Sequence, residues 1–142
     1  MLKKLSFLML MSANYAYACQ VEAVIVEYPL YNVSKSDLIL EAKISDSKLY
    51  EEGRYTGTKS FKATVLQSLN GGFSVGEVIE AFSANEETRA VCPVFVETGK
   101  TYILVLSKGK DRFEISRFHA AVSDDHPNYK MFIEQIKRTS KK

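Results

Sequence analysis

Cysteine is scarce in this chain of 142 residues, with two copies; proline occurs three times and histidine twice. Neither sign of charge dominates, since 19 basic residues face 17 acidic ones. The low-polarity run Leu5–Met11 is too short to span a bilayer and no other segment is long enough, so a retained anchor at the start of the chain is the lesser alternative. The charge balance argues against a nucleic-acid partner, because a protein that neutralises many phosphates carries a basic excess. The cysteines are too far apart for a redox pair of short spacing, and His119 and His126 have no zinc-ligand spacing around them. No serine motif, phosphate loop, internal repeat, low-complexity tract or linker is present, so catalysis is not expected and no cofactor is implied.

What is present begins with a leader. Lys3 and Lys4 form a basic start, Leu5–Met11 an apolar run, and Ala16-Tyr17-Ala18 a small-residue cleavage pattern. Residues 1–18 are therefore expected to be a signal peptide, and residues 19–142 a single mature domain that is secreted or periplasmic. Without Lys3 and Lys4 the mature chain has as many acidic as basic residues.

Cleavage after Ala18 makes Cys19 the first mature residue. In an oxidising compartment an even pair of cysteines, Cys19 and Cys92, reads as a disulfide. It would close a loop of about 74 residues and contribute roughly 4 kcal/mol through chain entropy. Two free thiols, or a lipid on Cys19, are the alternatives.

Along the mature chain, residues 21–26 read as a short strand and Tyr28–Lys35 as a loop. Asp37–Ile44 reads as a strand, and Asp46–Thr58 as a mobile loop or a wide hairpin. Lys59–Leu69 alternates, with Phe61, Ala63 and Val65 facing in and Lys62 and Thr64 facing out; Asn70-Gly71-Gly72 then suits a tight hairpin turn. Glu77–Phe82, Thr101–Ser107 and Arg112–Phe118 follow as strands, the second almost wholly apolar and so central. Cys92–Val96 leads towards that central strand, and Ser83–Thr88 and Lys108–Asp111 are polar connections. The period then changes: Tyr129, Phe132, Ile133 and Ile136 recur at helical spacing, with Asp124 or Asp125 as the cap, Pro127 in the first turn and a basic end. His126 belongs to this helix start, and the basic tail reads as a solvated terminus. Five or six short strands closed by one helix predict a mostly β fold: a partly open barrel of the OB type with a C-terminal helix.

In this order the pieces resemble a family. A mature N-terminal Cys19 comes first, followed by Ser36-Asp37-Leu38-Ile39-Leu40-Glu41-Ala42-Lys43. Phe61–Leu69 with its glycine turn, Ala90-Val91-Cys92 and Gly99-Lys100-Thr101-Tyr102-Ile103-Leu104 complete the series. The chain is similar to the netrin-like domain, specifically the inhibitory domain of the tissue inhibitors of metalloproteinases and their small bacterial relatives. The resemblance implies an OB barrel whose first cysteine is bonded to that of the Ala-Val-Cys segment. It implies that the Cys19 amine and carbonyl bind the catalytic zinc of a metallopeptidase, with the Gln20 side chain entering the specificity pocket. Cys92 would be the staple, and Ala90 and Val91 would support the wedge. Animal members carry a cysteine at the third mature position, where this chain has Val21.

The chemistry is coherent. A catalytic zinc keeps an open position, and a neutral amine is a good ligand for it. An α-amine titrates at about 7.7–8.0, so part of it is neutral near neutral pH. Other readings stand beside inhibition. Cys19 can be a structural staple alone, or a lipidated residue that holds the protein on a membrane surface. The barrel can also be a cell-envelope module that grips a glycan or a protein, with Tyr28, Tyr31, Tyr50 and Tyr55 as candidate contacts.

Overall fold

The computed structural model describes residues 38–50, 57–83, 94–115 and 121–140. The elements in order are β1 (Leu38–Leu49), β2 (Thr58–Asn70), β3 (Val78–Ser83), β4 (Thr101–Lys108), β5 (Phe113–Ile115), β6 (Ala121–Ser123) and α1 (Tyr129–Ser140). The hydrogen-bonded order β1-β2-β3-β5-β4 closes on itself because β1 also pairs with β4. All neighbours are antiparallel except β3 and β5. The result is a closed, mixed five-stranded barrel, consistent with an OB fold, with β6 added outside on β4 and one C-terminal helix.

Register explains which side chains form the core. β1 sets Leu38, Leu40 and Ala42 opposite Leu106, Leu104 and Tyr102 of β4. These residues, with Ile44, Phe61, Ala63, Val65, Ile79 and Ala81, point to the barrel interior, because residues directly opposite share a face. Ile39, Ile103 and Val105 point the other way, and Val122 of β6 lies opposite Ile103 on that face. α1 packs on the barrel against β2 with Tyr129, Phe132 and Ile136 buried, and its Tyr129 bonds Glu41, which points to the same outer face of β1 as Ile39. Tyr102–Leu106 is therefore buried throughout, as its unbroken apolar run predicts.

The alternation of β2 holds: Phe61, Ala63 and Val65 are buried, Lys62 is exposed and Thr64 is half-buried. Asp46–Thr58 is mostly not a loop. β1 runs on to Leu49, paired through Asp46↔Lys62, Ser47↔Phe61, Lys48↔Ser60 and Leu49↔Thr58, and the Tyr50 N–H donates to Gly57 O at 3.0 Å. The wide hairpin is the correct reading; backbone pairing continues where side-chain polarity hides it. Four register shifts along this pair coil it tightly enough to bend round a small barrel.

Gly71 and Gly72 do take positive φ, at 117° and 74°, but they do not make a two-residue turn. The connection runs on to Glu77. It is tied back where the Gly76 N–H donates to Val65 O and the Phe73 N–H to Ser68 Oγ. The Phe73 ring meets Phe113 of β5 edge-on, with centroids 5.6 Å apart. Across the parallel β3–β5 pair, the Arg112 guanidinium lies 4.7 Å over the Phe82 ring and bonds Glu114 Oε1 at 3.2 Å.

Asp124 and Asp125 do not cap the helix. They sit in the turn before it: the Asp124 N–H donates to Thr101 O and the Asp125 N–H to Ser123 Oγ. Pro127 also precedes the first helical turn. Asn128 stands immediately before Tyr129, and its carbonyl accepts the Phe132 N–H at 3.0 Å. The expected strand at 21–26 and loop at Tyr28–Lys35, and most of the Ser83–Thr88 connection, lie outside the described residues.

Candidate functional site

The most densely tied point of the barrel is Thr58, which is 1% exposed. It opens β2 and lies opposite Leu49, the last residue of β1. Its N–H donates to Val94 O at 2.8 Å, and its Oγ1 accepts the Val96 N–H at 3.0 Å. Its carbonyl accepts the Ser83 hydroxyl at 2.5 Å. A buried threonine is tolerated because each of its polar groups has a partner. The chain leaves β3 at Ser83 and re-enters the described structure at Val94, and both points are fastened to the loop end of the β1–β2 hairpin.

From there Val94–Lys100 runs beside β1. Val94 and Val96 are buried and Phe95 between them is exposed. The Tyr102 hydroxyl accepts the Glu97 N–H at 3.0 Å, and burial pushes the Tyr102 phenol up. The Gly99 N–H donates to Ile44 O, and the Ile44 N–H to Lys100 O. Ser47 Oγ and Thr98 Oγ1 are 3.2 Å apart. Lys100 pairs with Glu97 at 3.1 Å and Asp125 at 3.5 Å; the hydrogen bond with Glu97 is the main reason its ammonium is held above the usual value.

Cys19, Gln20, Ala90, Val91 and Cys92 lie outside the described residues, as do Tyr28, Tyr31, Tyr55 and His119. Tyr50 is half-buried at the mouth of the β1–β2 hairpin. His126 does belong to the helix start: its Nδ1 accepts the Asn128 N–H at 3.1 Å, and its ring lies 5.4 Å from Phe132.

A cleft between β1 and α1 is lined by Glu41, Asp124, His126, Tyr129, Lys130 and Glu134, among others. The Tyr129 hydroxyl donates to Glu41 Oε2 at 2.7 Å. Burial first, and Glu41 second, push this phenol far above its ordinary value. It therefore stays protonated and acts as a strut between barrel and helix. Among the described residues no group of three or more His, Cys, Asp or Glu side chains is placed to hold a metal.

The outer face of β2 and β3 is the third surface feature. Lys62 faces Glu80 and Thr64 faces Val78 across the pair. Val78 is 62% exposed, Leu66 41%, and Val75 in the adjoining loop 75%. Sequence reading looked for aromatics in the loops and missed these aliphatics. The signal was available: in the alternation of Lys59–Leu69, Leu66 falls into the outward set with Lys62 and Thr64.

Compared with models of known protein families and with curated proteins, the chain matches none.

Proposed function

We propose that this chain is an extracytoplasmic barrel protein that inhibits a metallopeptidase by offering the Cys19 α-amine and carbonyl to the enzyme's catalytic zinc. Gln20 enters the pocket beside the zinc, and a Cys19–Cys92 disulfide fixes the amine in place, with Ala90 and Val91 supporting it. The observation that carries this reading is the clasp at Thr58. It ties both flanks of the segment that contains Ala90–Cys92 to the loop end of the β1–β2 hairpin. An inhibitor that presents a chain terminus to a metal gains affinity from such rigidity, because less ordering remains to be done on binding. The closed five-stranded barrel is consistent with the OB fold that the resemblance implies.

The test is inhibition of zinc metalloendopeptidases by the secreted chain, compared with a chain carrying one extra alanine before Cys19. Inhibition by the first and at least a hundredfold weaker inhibition by the second is the expected result. Equal inhibition by both, or an acylated Cys19 at the mature terminus, sinks the zinc-chelating role; acylation supports the lipoprotein reading instead.

The exposed Leu66, Val75 and Val78 favour a second reading, a cell-envelope module that grips a partner through the outer β2–β3 face. Binding to envelope extracts that Leu66→Asp leaves unchanged removes that reading.

A further inference from the structure

We infer that the outward face of α1 is a docking surface for an anionic phospholipid bilayer. The inner face of the helix is already used: Tyr129, Phe132 and Ile136 are buried on the barrel, and the Tyr129–Glu41 bond fixes the helix start. The opposite face is thus held outward in one orientation. At 100° per residue, Glu134 lies most nearly opposite the buried stripe, flanked by a line through Lys130 and Lys137 on one side and a line through Met131 and Arg138 on the other, the members of each line two turns or about 10 Å apart. Met131 is 41% exposed, and Arg138 is exposed.

Charge complementarity selects the partner. Residues 129–142 include Lys130, Lys137, Arg138, Lys141 and Lys142 against the single acid Glu134, a net +4, whereas the whole chain is only +2. The rest of the chain is therefore net negative, and the positive charge is concentrated at one end. Within α1 this charge is little neutralised. Lys137 reaches Glu134 only at 3.9 Å, between partly exposed side chains. Such a pair contributes little in water. Lys and Arg held on the outer side of a helix are attracted to anionic headgroups, and the exposed Met131, in line with Arg138, adds an apolar contact. The solvated-tail reading explains the charges but not an exposed methionine in line with Arg138 on a helix whose other face is occupied.

The experiment is co-sedimentation of the purified chain with vesicles of phosphatidylcholine alone and of phosphatidylcholine with about 30% phosphatidylglycerol, at low and high salt. Apolar partitioning by residues 5–11 acts alike on both vesicles, so the readout is the ratio between them. Preferential binding to the anionic vesicles is expected, with loss at high salt as the charges are screened. Each Lys or Arg near such a surface contributes about fivefold, so Lys137→Gln with Arg138→Gln lowers the ratio roughly 25-fold. Met131→Ser weakens binding to both vesicles and leaves the ratio and its salt dependence unchanged. An unchanged thermal midpoint shows that both variants are folded. Equal binding to both vesicles, or an unaltered ratio in the double variant, overturns the inference, and neither outcome bears on the Cys19 reading.

Discussion

A single buried hydroxyl organises one end of this barrel. Thr58→Val keeps the shape of the side chain but orphans the Val96 N–H, and a buried donor without a partner costs about 1–3 kcal/mol. Chemical denaturation should show that loss for valine and a smaller one for Thr58→Ser, which retains the acceptor. Tyr129 acts at the other side of the molecule. Its phenol, normally near 10, is raised in the folded chain. A raised value means that the contribution is fully present below about pH 10 and is lost as pH climbs above it, where the unfolded chain gives up the proton and the folded one does not. The slope is about 1.4 kcal/mol per pH unit. Tyr129→Phe should lose the Glu41 bond at neutral pH and show a shallower decline between pH 10 and 11, as read from denaturant midpoints. Thr58 could not have been singled out from the sequence, where it stands in a polar, glycine-containing stretch. Its role depends on Ser83 and Val94, which are distant in the chain.

At the level of elements, legibility followed side-chain chemistry. β2 and β4 were readable because burial on one face or on two leaves an alternating or an unbroken apolar pattern. The far half of β1 was not, because Ser45–Lys48 are polar and are held by pairing with β2 rather than by burial. β6 has only Ala121-Val122-Ser123 and takes its place from β4. The helix was readable from its buried stripe, whereas its start was not, since the two aspartates are engaged by Thr101 and Ser123. The glycine turn was right in conformation and wrong in length. Its two glycines differ in a measurable way. Gly71 has φ of 117° and a Cβ there would lie 2.6 Å from Leu38 Cδ2, while Gly72 at 74° has open space around it. Gly71→Ala should therefore lower the thermal midpoint more than Gly72→Ala, which bears the backbone strain alone.

For the molecule as a whole, the architecture was within reach of pattern reading, because six strands and a helix of these lengths have few ways to cover all their apolar faces. The site was less so. The residues to which the resemblance assigns a role, Cys19, Gln20 and Ala90–Cys92, lie outside the described residues, and what the described barrel adds is the pair of anchors, Ser83 and Val94, on either side of Ala90–Cys92.

Closure of the barrel has a consequence for how the molecule opens. β5 is three residues long, touching β4 through Ser107↔Glu114 and Lys108↔Phe113, and β3 through Ala81↔Phe113, Phe82↔Glu114 and Ser83↔Ile115. β1 and β4, by contrast, are paired from Leu38↔Leu106 to Lys43↔Thr101. Among the described residues β5 is thus the short link in the ring, clipped from outside by the Arg112 guanidinium on Phe82. Amide exchange should follow that inequality, with Phe113–Ile115 losing protection before Ile39–Lys43. Opening at β5 turns a ring into a curled sheet with two raw edges and β1–β4 intact. The same residue that ends β3, Ser83, is fastened to Thr58, so breathing at this link stops at the hydroxyl clasp instead of spreading round the ring.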